Sequence, residues 1–550
     1  MKVYLLKIIT LSIILLLKSL TTASQTVTPW LTSGDKSRLI KQQNPVYLNV
    51  NSGSANEIIY VDPETVYQEI DGFGFCLTQG SAEVISSLTI SQQNSLLSEL
   101  FDKANGLGIS VLRIGIGATD LNSTIYSYNE TSGDVNMNKF SLNGPDLNYL
   151  IPVLKKILAI NPEIKILASP WTAPRWMKTN GSWTGGSLKT TSYTAYAKYF
   201  IKYFDAMKAH GINIWAITPQ NEPENGANEP SMLMSMTEQK NFINLYLGPS
   251  MANNGYSGIK IIAFDHNCDN TSYPIEVCNG STYVDGAAFH LYAGDISALT
   301  TVKNRTGKNV YFTEQYTSST GSFSDDFSWH LQNVILGALN NSAKTVIEWN
   351  LATNSNFGPR TSGGCSTCQG AITVNSSTSF SRNVSYYIIG QISKFVKPGA
   401  VRIKAANSSP GYVSAGFKNP DGSIAVLIYN NKSSSQVFKV LVGSKSFFYT
   451  VPANTAATFV WDTDLNAIPD TRIDNFVISP NPVNEFIILK AENDDMYFNS
   501  ADIISMNGEI VLNCRLSNNI KIDVSALSKG CYILRMNGKK GPQYSRFIKQ

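Results

Sequence analysis

Between residues 66 and 355, short apolar runs alternate with longer amphipathic stretches. The runs are Tyr67–Phe75, Ser110–Ile116, Lys165–Pro170, Ile214–Thr218, Ile259–Phe264, Gly286–Leu291, Asn309–Thr313 and Lys344–Trp349. Between several of them the apolar positions follow helical spacing. In Tyr193–Lys208, for example, Tyr196, Tyr199, Phe200, Tyr203, Phe204 and Met207 recur every three or four residues. Eight strands separated by helices are the arithmetic of an α/β fold, the (β/α)8 TIM barrel, whose chemistry gathers at the C-terminal ends of the strands. Beyond residue 385 the pattern turns to short β segments, Gly411–Phe417, Ser423–Tyr429, Gln436–Val442, Ser446–Val451 and Thr458–Trp461, broken by Gly, Asn and Ser. They predict an accessory antiparallel β-sandwich, to which the strand-like Val46–Tyr60 is expected to add.

The ends of the chain read differently. Lys2 and Lys7 precede the apolar run Ile8–Leu17, and Thr21-Thr22-Ala23-Ser24 offers small residues for cleavage. Residues 1–24 are therefore expected to be a signal peptide and to leave no stable membrane span once removed. The expected organisation continues with 25–65 contributing strands to the sandwich, 66–385 as the catalytic barrel and 386–464 as the sandwich. A linker follows at 465–473, and a small all-β C-terminal domain at 474–550.

The formal net charge of +4 falls to +1 without Lys2, Lys7 and Lys18, so no field steers the protein to nucleic acid. Seven cysteines in an exported chain suggest disulfides. The candidate pairs are Cys268–Cys278, Cys365–Cys368 and Cys514–Cys531, with Cys76 left over. Cys365-Ser366-Thr367-Cys368 has the spacing of half a zinc site, but no second CxxC or nearby histidine pair completes it, none of the four histidines is at metal spacing, and neither metal nor cofactor is expected.

Two strand ends carry the candidate chemistry. Thr218-Pro219-Gln220-Asn221-Glu222-Pro223 and Tyr311-Phe312-Thr313-Glu314-Gln315 each place a glutamate after an apolar run. The two are roughly ninety residues apart, or about three strand–helix units, which suits opposite walls of one barrel mouth. A retaining glycosidase needs two such carboxylates, an acid/base (Glu222) and a nucleophile (Glu314). Glu222 is expected to have a raised pKa, and Arg113 to pair with Glu314 and keep it ionised. Asn221 and Asp120 are placed to hydrogen-bond sugar hydroxyls, the alternative for Asp120 being a salt bridge to Arg113 that ties the loop. His290 fits either the site or a structural role. Sugar faces stack on rings, and Trp171, Trp176, Trp183, Tyr292 and Trp349 fall at predicted mouth positions.

These segments also carry a resemblance. "DGFGFCLTQGSAEVI", "LRIGIGATDL", "ILASPWTAPRWMKTNG", "ITPQNEPE", "AFHLY", "VYFTEQ" and "VIEWNLATN" resemble glycoside hydrolase family 30, which includes glucosylceramidases, β-1,6-glucanases and xylan-cleaving enzymes. The resemblance implies a barrel with a sandwich built from segments on both sides of it. It implies Glu222 as acid/base and Glu314 as nucleophile, with Asp120, Trp171, Asn221, Tyr292 and Trp349 around the non-reducing sugar. Gln79, Leu291 and Arg360 depart from the family pattern on the leaving-group side. "SPNP", "MNGE", "LSKGCYILRM" and "RFIKQ" resemble the sorting domain of the type IX secretion route of Gram-negative bacteria, which implies that secretion machinery as partner and a secreted or surface location. The expected function is a secreted β-glycoside hydrolase acting on β-linked oligosaccharide, polysaccharide or glycolipid. A non-catalytic glycan-binding surface protein and an enzyme for β-xylosides are the alternatives.

Overall fold

The computed structural model describes residues 25–408, 413–462, 476–491, 498–505, 509–516, 521–538 and 541–550. The expected signal peptide and linker lie outside these residues. Eight parallel strands close into a barrel: β1 (Gly72–Cys76), β2 (Val111–Gly115), β3 (Lys165–Ser169), β4 (Ala216–Ile217), β5 (Lys260–Cys268), β6 (Val284–Gly294), β7 (Asn309–Glu314) and β8 (Ala343–Asn350). All eight expected runs contribute. The barrel interior is filled by Val111, Leu167, Ala216, Ile262, Ala288, Tyr311 and Ile347, one from each of seven strands, so it is a packed core and not a channel. The helix Tyr193–Ala209 buries the whole aromatic stripe read from the sequence.

Three bulges shape the C-terminal rim. Between β5 and β6 the register runs Ala288 to Phe264 and then Phe289 to His266, leaving Asp265 unmatched. Thr313 is skipped in the same way between β6 and β7, and Trp349 between β8 and β1. A bulge re-aims one side chain at the end of a strand, and all three fall where the candidate chemistry lies.

The expected first run divides. Tyr67–Glu69 end a separate 13-residue strand, Glu57–Glu69, which pairs with Val401–Asn407 and Gln436–Val442. These strands belong to a second, 10-stranded sheet in which Gln25–Ser33 lies beside Thr455–Trp461. The pairing of Glu57–Glu69 with Gln436–Val442 is parallel, a departure from the antiparallel expectation. Val46–Val50 and Glu57–Glu69 are separate strands, where one run over Val46–Tyr60 was expected. The helix Val384–Ser393 crosses the expected boundary at 385, and its Gln391 side chain bonds Thr32, the Trp30 carbonyl and Thr458.

The chain divides into two compact units, the second being Asp464–Gln550. That unit has a three-stranded and a four-stranded sheet around Val483, Ile487, Ile503, Leu534, Met536 and Phe547.

Of the expected disulfides, Cys365–Cys368 is formed. Cys514 and Cys531 are free because their strands flank Phe498–Ser505 on opposite sides. Two strand spacings, roughly 9.5 Å, exceed the Cα separation a disulfide can bridge. Cys268 and Cys278 are also free, each buried in the apolar core. Cys76 is a free, buried thiol, as the odd count suggested.

Candidate active site

Glu314 ends β7, and Glu222 lies on the turn after β4. A carboxylate oxygen of each and a ring nitrogen of His290 lie within 4.8 Å of one another. The turn that delivers Glu222 is left-handed, with φ 45°. The Glu222 amide donates to the Asp265 carbonyl at 3.0 Å, and the Asn221 amide to the Pro170 carbonyl at 2.8 Å.

Arg113, fully buried on β2, organises one side. It donates through Nη1 to Glu314 Oε2 at 2.6 Å, and through Nη2 to Asn221 Oδ1 and to Asp265 Oδ2, the latter at 2.9 Å. Its ion pairs among the described residues are with Glu314 and Asp265, so the alternative pairing with Asp120 is replaced by these two. The guanidinium also lies 4.8 Å from the centre of the Trp171 ring and 5.9 Å from that of Trp349. The two indoles pack 5.5 Å apart and are only 2% and 4% exposed, so they form the floor of the site and do not stand free as platforms. Tyr292, 37% exposed, donates its hydroxyl to Glu314 Oε1 at 3.0 Å.

His290 organises the other side. Its Nδ1 is 3.3 Å from Glu222 Oε1, and its Nε2 is 3.1 Å from Asp265 Oδ1. The remaining oxygen of Glu222 accepts from Asn225 at 2.8 Å and Asn228 at 3.0 Å.

These contacts reverse two expectations about charge. Burial works against ionisation of Glu222, but the hydrogen bond and charge of His290, with Asn225 and His266, outweigh it and hold its pKa below the usual value. For Glu314 burial wins: together with the charge of Glu222 it raises the pKa despite His290 and Arg113. Of the two carboxyl groups, Glu314 is therefore the one that takes up a proton more readily. Burial alone would lower the pKa of His290, yet Glu314, Asp265 and Glu222 raise it to about 10, so the imidazole is a cation at neutral pH.

Asp120 is buried beside the disulfide, and Oδ2 is 3.5 Å from the Cys365 amide. Burial and the charge of Glu314 push its pKa up to about 7.

Glu222, His290 and Glu314 are close enough to reach a single metal ion. A cation there would face the Arg113 guanidinium and a protonated His290, so the donor set does not fit one.

Asp265 escaped the sequence reading, as did Ser169, Thr218, Thr313, Asn225 and Asn228. One signal was present: Asp265 directly follows the apolar run Ile259–Phe264, where a barrel strand ends. Of the other candidates, Trp176 is half-buried and donates to the Asn129 carbonyl at 2.9 Å. Trp183 lies with its ring centre 4.8 Å from the Arg175 guanidinium. Gln79 ties the segment after the C-terminal end of β2 to Asp146, donating to the Gly117 carbonyl and Asp146 Oδ1 at 3.0 Å each.

Residues 70–396 match the Glycosyl hydrolase family 30 TIM-barrel domain, and 399–459 match the family's beta sandwich domain. Residues 477–550 match a Secretion system C-terminal sorting domain. The Endo-1,6-beta-D-glucanase neg1 of Aspergillus fumigatus is 34% identical over 72% of this chain and 85% of its own length. The Lysosomal acid glucosylceramidase of Mus musculus is 27% identical over 75% and 85%. Among solved structures, the endo-beta1,6-glucanase BT3312 superposes with a TM-score of 0.74 at 35% identity, covering 80% of this chain and all of that one. The chain is a glycosidase belonging to glycosyl hydrolase family 30, and it carries a type IX sorting domain.

Proposed function

We propose that the protein is an exported β-1,6-glucan hydrolase working by double displacement, with Glu314 as nucleophile and Glu222 as acid/base. The observation that carries this reading is the approach of the two carboxylates, with oxygens within 4.8 Å. A separation of about 5 Å suits direct attack on the anomeric carbon and leaves no room for the water an inverting enzyme needs. Glu314 attacks while Arg113 and Tyr292 stabilise its charge, and Glu222 protonates the leaving oxygen. Once Glu314 is esterified, its negative charge is lost and Glu222 draws a proton from the incoming water. To act as acid Glu222 must carry a proton, and a leaving oxygen that replaces the Asn225 and Asn228 donors at Oε2 raises its proton affinity. Asp120 and Asn221 hold sugar hydroxyls over the Trp171–Trp349 floor.

The preference for glucan over glycolipid is supported by the relatives: the two at 34% and 35% identity are named for β-1,6-glucanase activity, and the glucosylceramidase stands at 27%. The sorting domain supports delivery to the surface or exterior of a Gram-negative cell. The test supplies β-1,6-glucan, glucosylceramide and xylan in parallel and follows the first-formed anomer by NMR. β-Anomer from the glucan, with turnover lost in Glu314→Gln, is the expected result. Initial α-anomer, or equal turnover in Glu314→Gln, overturns it.

A further inference from the structure

Beneath both glutamates lies a carboxylate that no sugar can reach. Asp265 is 0% exposed, yet it accepts five side-chain hydrogen bonds divided between its oxygens. Oδ2 accepts from Arg113 at 2.9 Å, Thr218 at 2.6 Å and Ser169 at 3.3 Å. Oδ1 accepts from His290 at 3.1 Å and Thr313 at 2.7 Å. Ionised carboxylates cost several kcal/mol to bury unless paired and hydrogen-bonded, and this one has both kinds of compensation. The cation on Oδ2 is the one that contacts Glu314, and the imidazole on Oδ1 is the one that contacts Glu222. Asp265 is thus hydrogen-bonded to both bridging residues (Glu314 also meets both, with His290 Nδ1 3.7 Å from its Oε1), and the β5 bulge with φ 67° is what turns Asp265 inward.

We propose that Asp265 is a positioning residue that sets Arg113 against Glu314 and His290 against Glu222, so that both glutamates are aligned before a sugar arrives. This role rests on the reading of Glu222 and Glu314 as the reacting pair. A carboxylate serving only stability would change folding when lost, but not the division between binding and turnover. A positioning carboxylate acts on turnover: small displacements of a reacting group cost about 100-fold in rate. Asp265 also keeps His290 charged. The groups facing His290 are Asp265 and His266 from β5, Tyr292 from β6, Glu314 from β7, Glu222 from the β4 turn, and Arg113 across the site. Removing the Asp265 charge leaves the rest of this set in place.

The test compares wild type, Asp265→Asn and Thr313→Val on an aryl β-glucoside and on β-1,6-glucan, and follows the His290 ring nitrogens by NMR against pH. Asp265→Asn is expected to lose about 100-fold in kcat with KM within about threefold, and its imidazole to titrate at lower pH than in wild type, with Glu314 and Glu222 still raising it. Thr313→Val keeps the charge and removes one donor. It is expected to lose about tenfold in kcat, the size of one hydrogen bond, and it carries the test if Asp265→Asn does not fold. Wild-type kcat in a folded Asp265→Asn with an unmoved imidazole overturns the proposal. So does a loss confined to KM, or an unchanged kcat in Thr313→Val when that variant alone folds. If wild type turns over neither substrate while the imidazole shifts as expected, the functional reading fails and the link between Asp265 and His290 stands.

Discussion

The main-chain amide of Glu222 donates to the carbonyl of Asp265 at 3.0 Å, and both residues hold left-handed backbone, at φ 45° and 67°. Such a conformation costs a residue with a side chain on the order of 1–3 kcal/mol and persists only where the surroundings impose it. Glycine adopts it freely. Glu222→Gly should therefore melt higher than Glu222→Ala, which loses the same side-chain contacts, while both lose turnover. Equal Tm values for the two variants would show that this turn is not strained.

Arg113→Lys retains the charge and loses the fork. One ammonium cannot reach Glu314, Asn221 and Asp265 in the directions a planar guanidinium does. The variant should lose at least about 100-fold in kcat and about 3 kcal/mol of stability, the scale for breaking a buried pair. Denaturant melts and steady-state kinetics read the two effects separately. Near-native values in both would remove Arg113 from its central place.

The raised pKa of His290 makes stability depend on pH with a definite sign. A group that binds its proton more tightly when folded contributes stability fully present below its unfolded value, about 6.5. That contribution fades as pH climbs toward the folded value of about 10. Wild-type Tm should therefore decline between pH 7 and 10 more steeply than that of His290→Gln. Parallel curves would mean that the imidazole is neutral in the folded protein.

The Cys365–Cys368 bridge closes a loop of only four residues, so its entropic contribution is about 2 kcal/mol at most. Its larger effect is local, because the Cys365 amide faces Asp120 and Cys368 packs with Trp171 and Trp349. Replacing both cysteines by serine should raise KM for an aryl β-glucoside several-fold, with kcat changed less than KM. An unaltered KM would separate the bridge from sugar binding.

The barrel was legible because two periodicities alternate along one stretch, and the strand-end glutamates were legible because a barrel brings all its strand ends to one rim. The electrostatics were not. Whether Glu222 gains or loses proton affinity depends on Asn225 and Asn228 curling back onto it, a loop conformation that has no periodic signature. Asp265 was hidden for a related reason: a bulge is an offset between two strands, so neither strand's sequence displays it alone. The failed pairing of Cys514 with Cys531 has the same origin, since their positions along the chain say nothing of the strand that lies between them.

The strand Gln25–Ser33 lies against Thr455–Trp461, so the first and last segments of the larger unit complete each other. A ribosome delivers the barrel before the partner of that opening strand exists. Until residue 461 emerges, Val27 and Leu31 have no finished layer to cover them. Closure of that seam waits for the segment Thr455–Trp461, so the larger unit is completed by its final strand just before the second unit, Asp464–Gln550, is made.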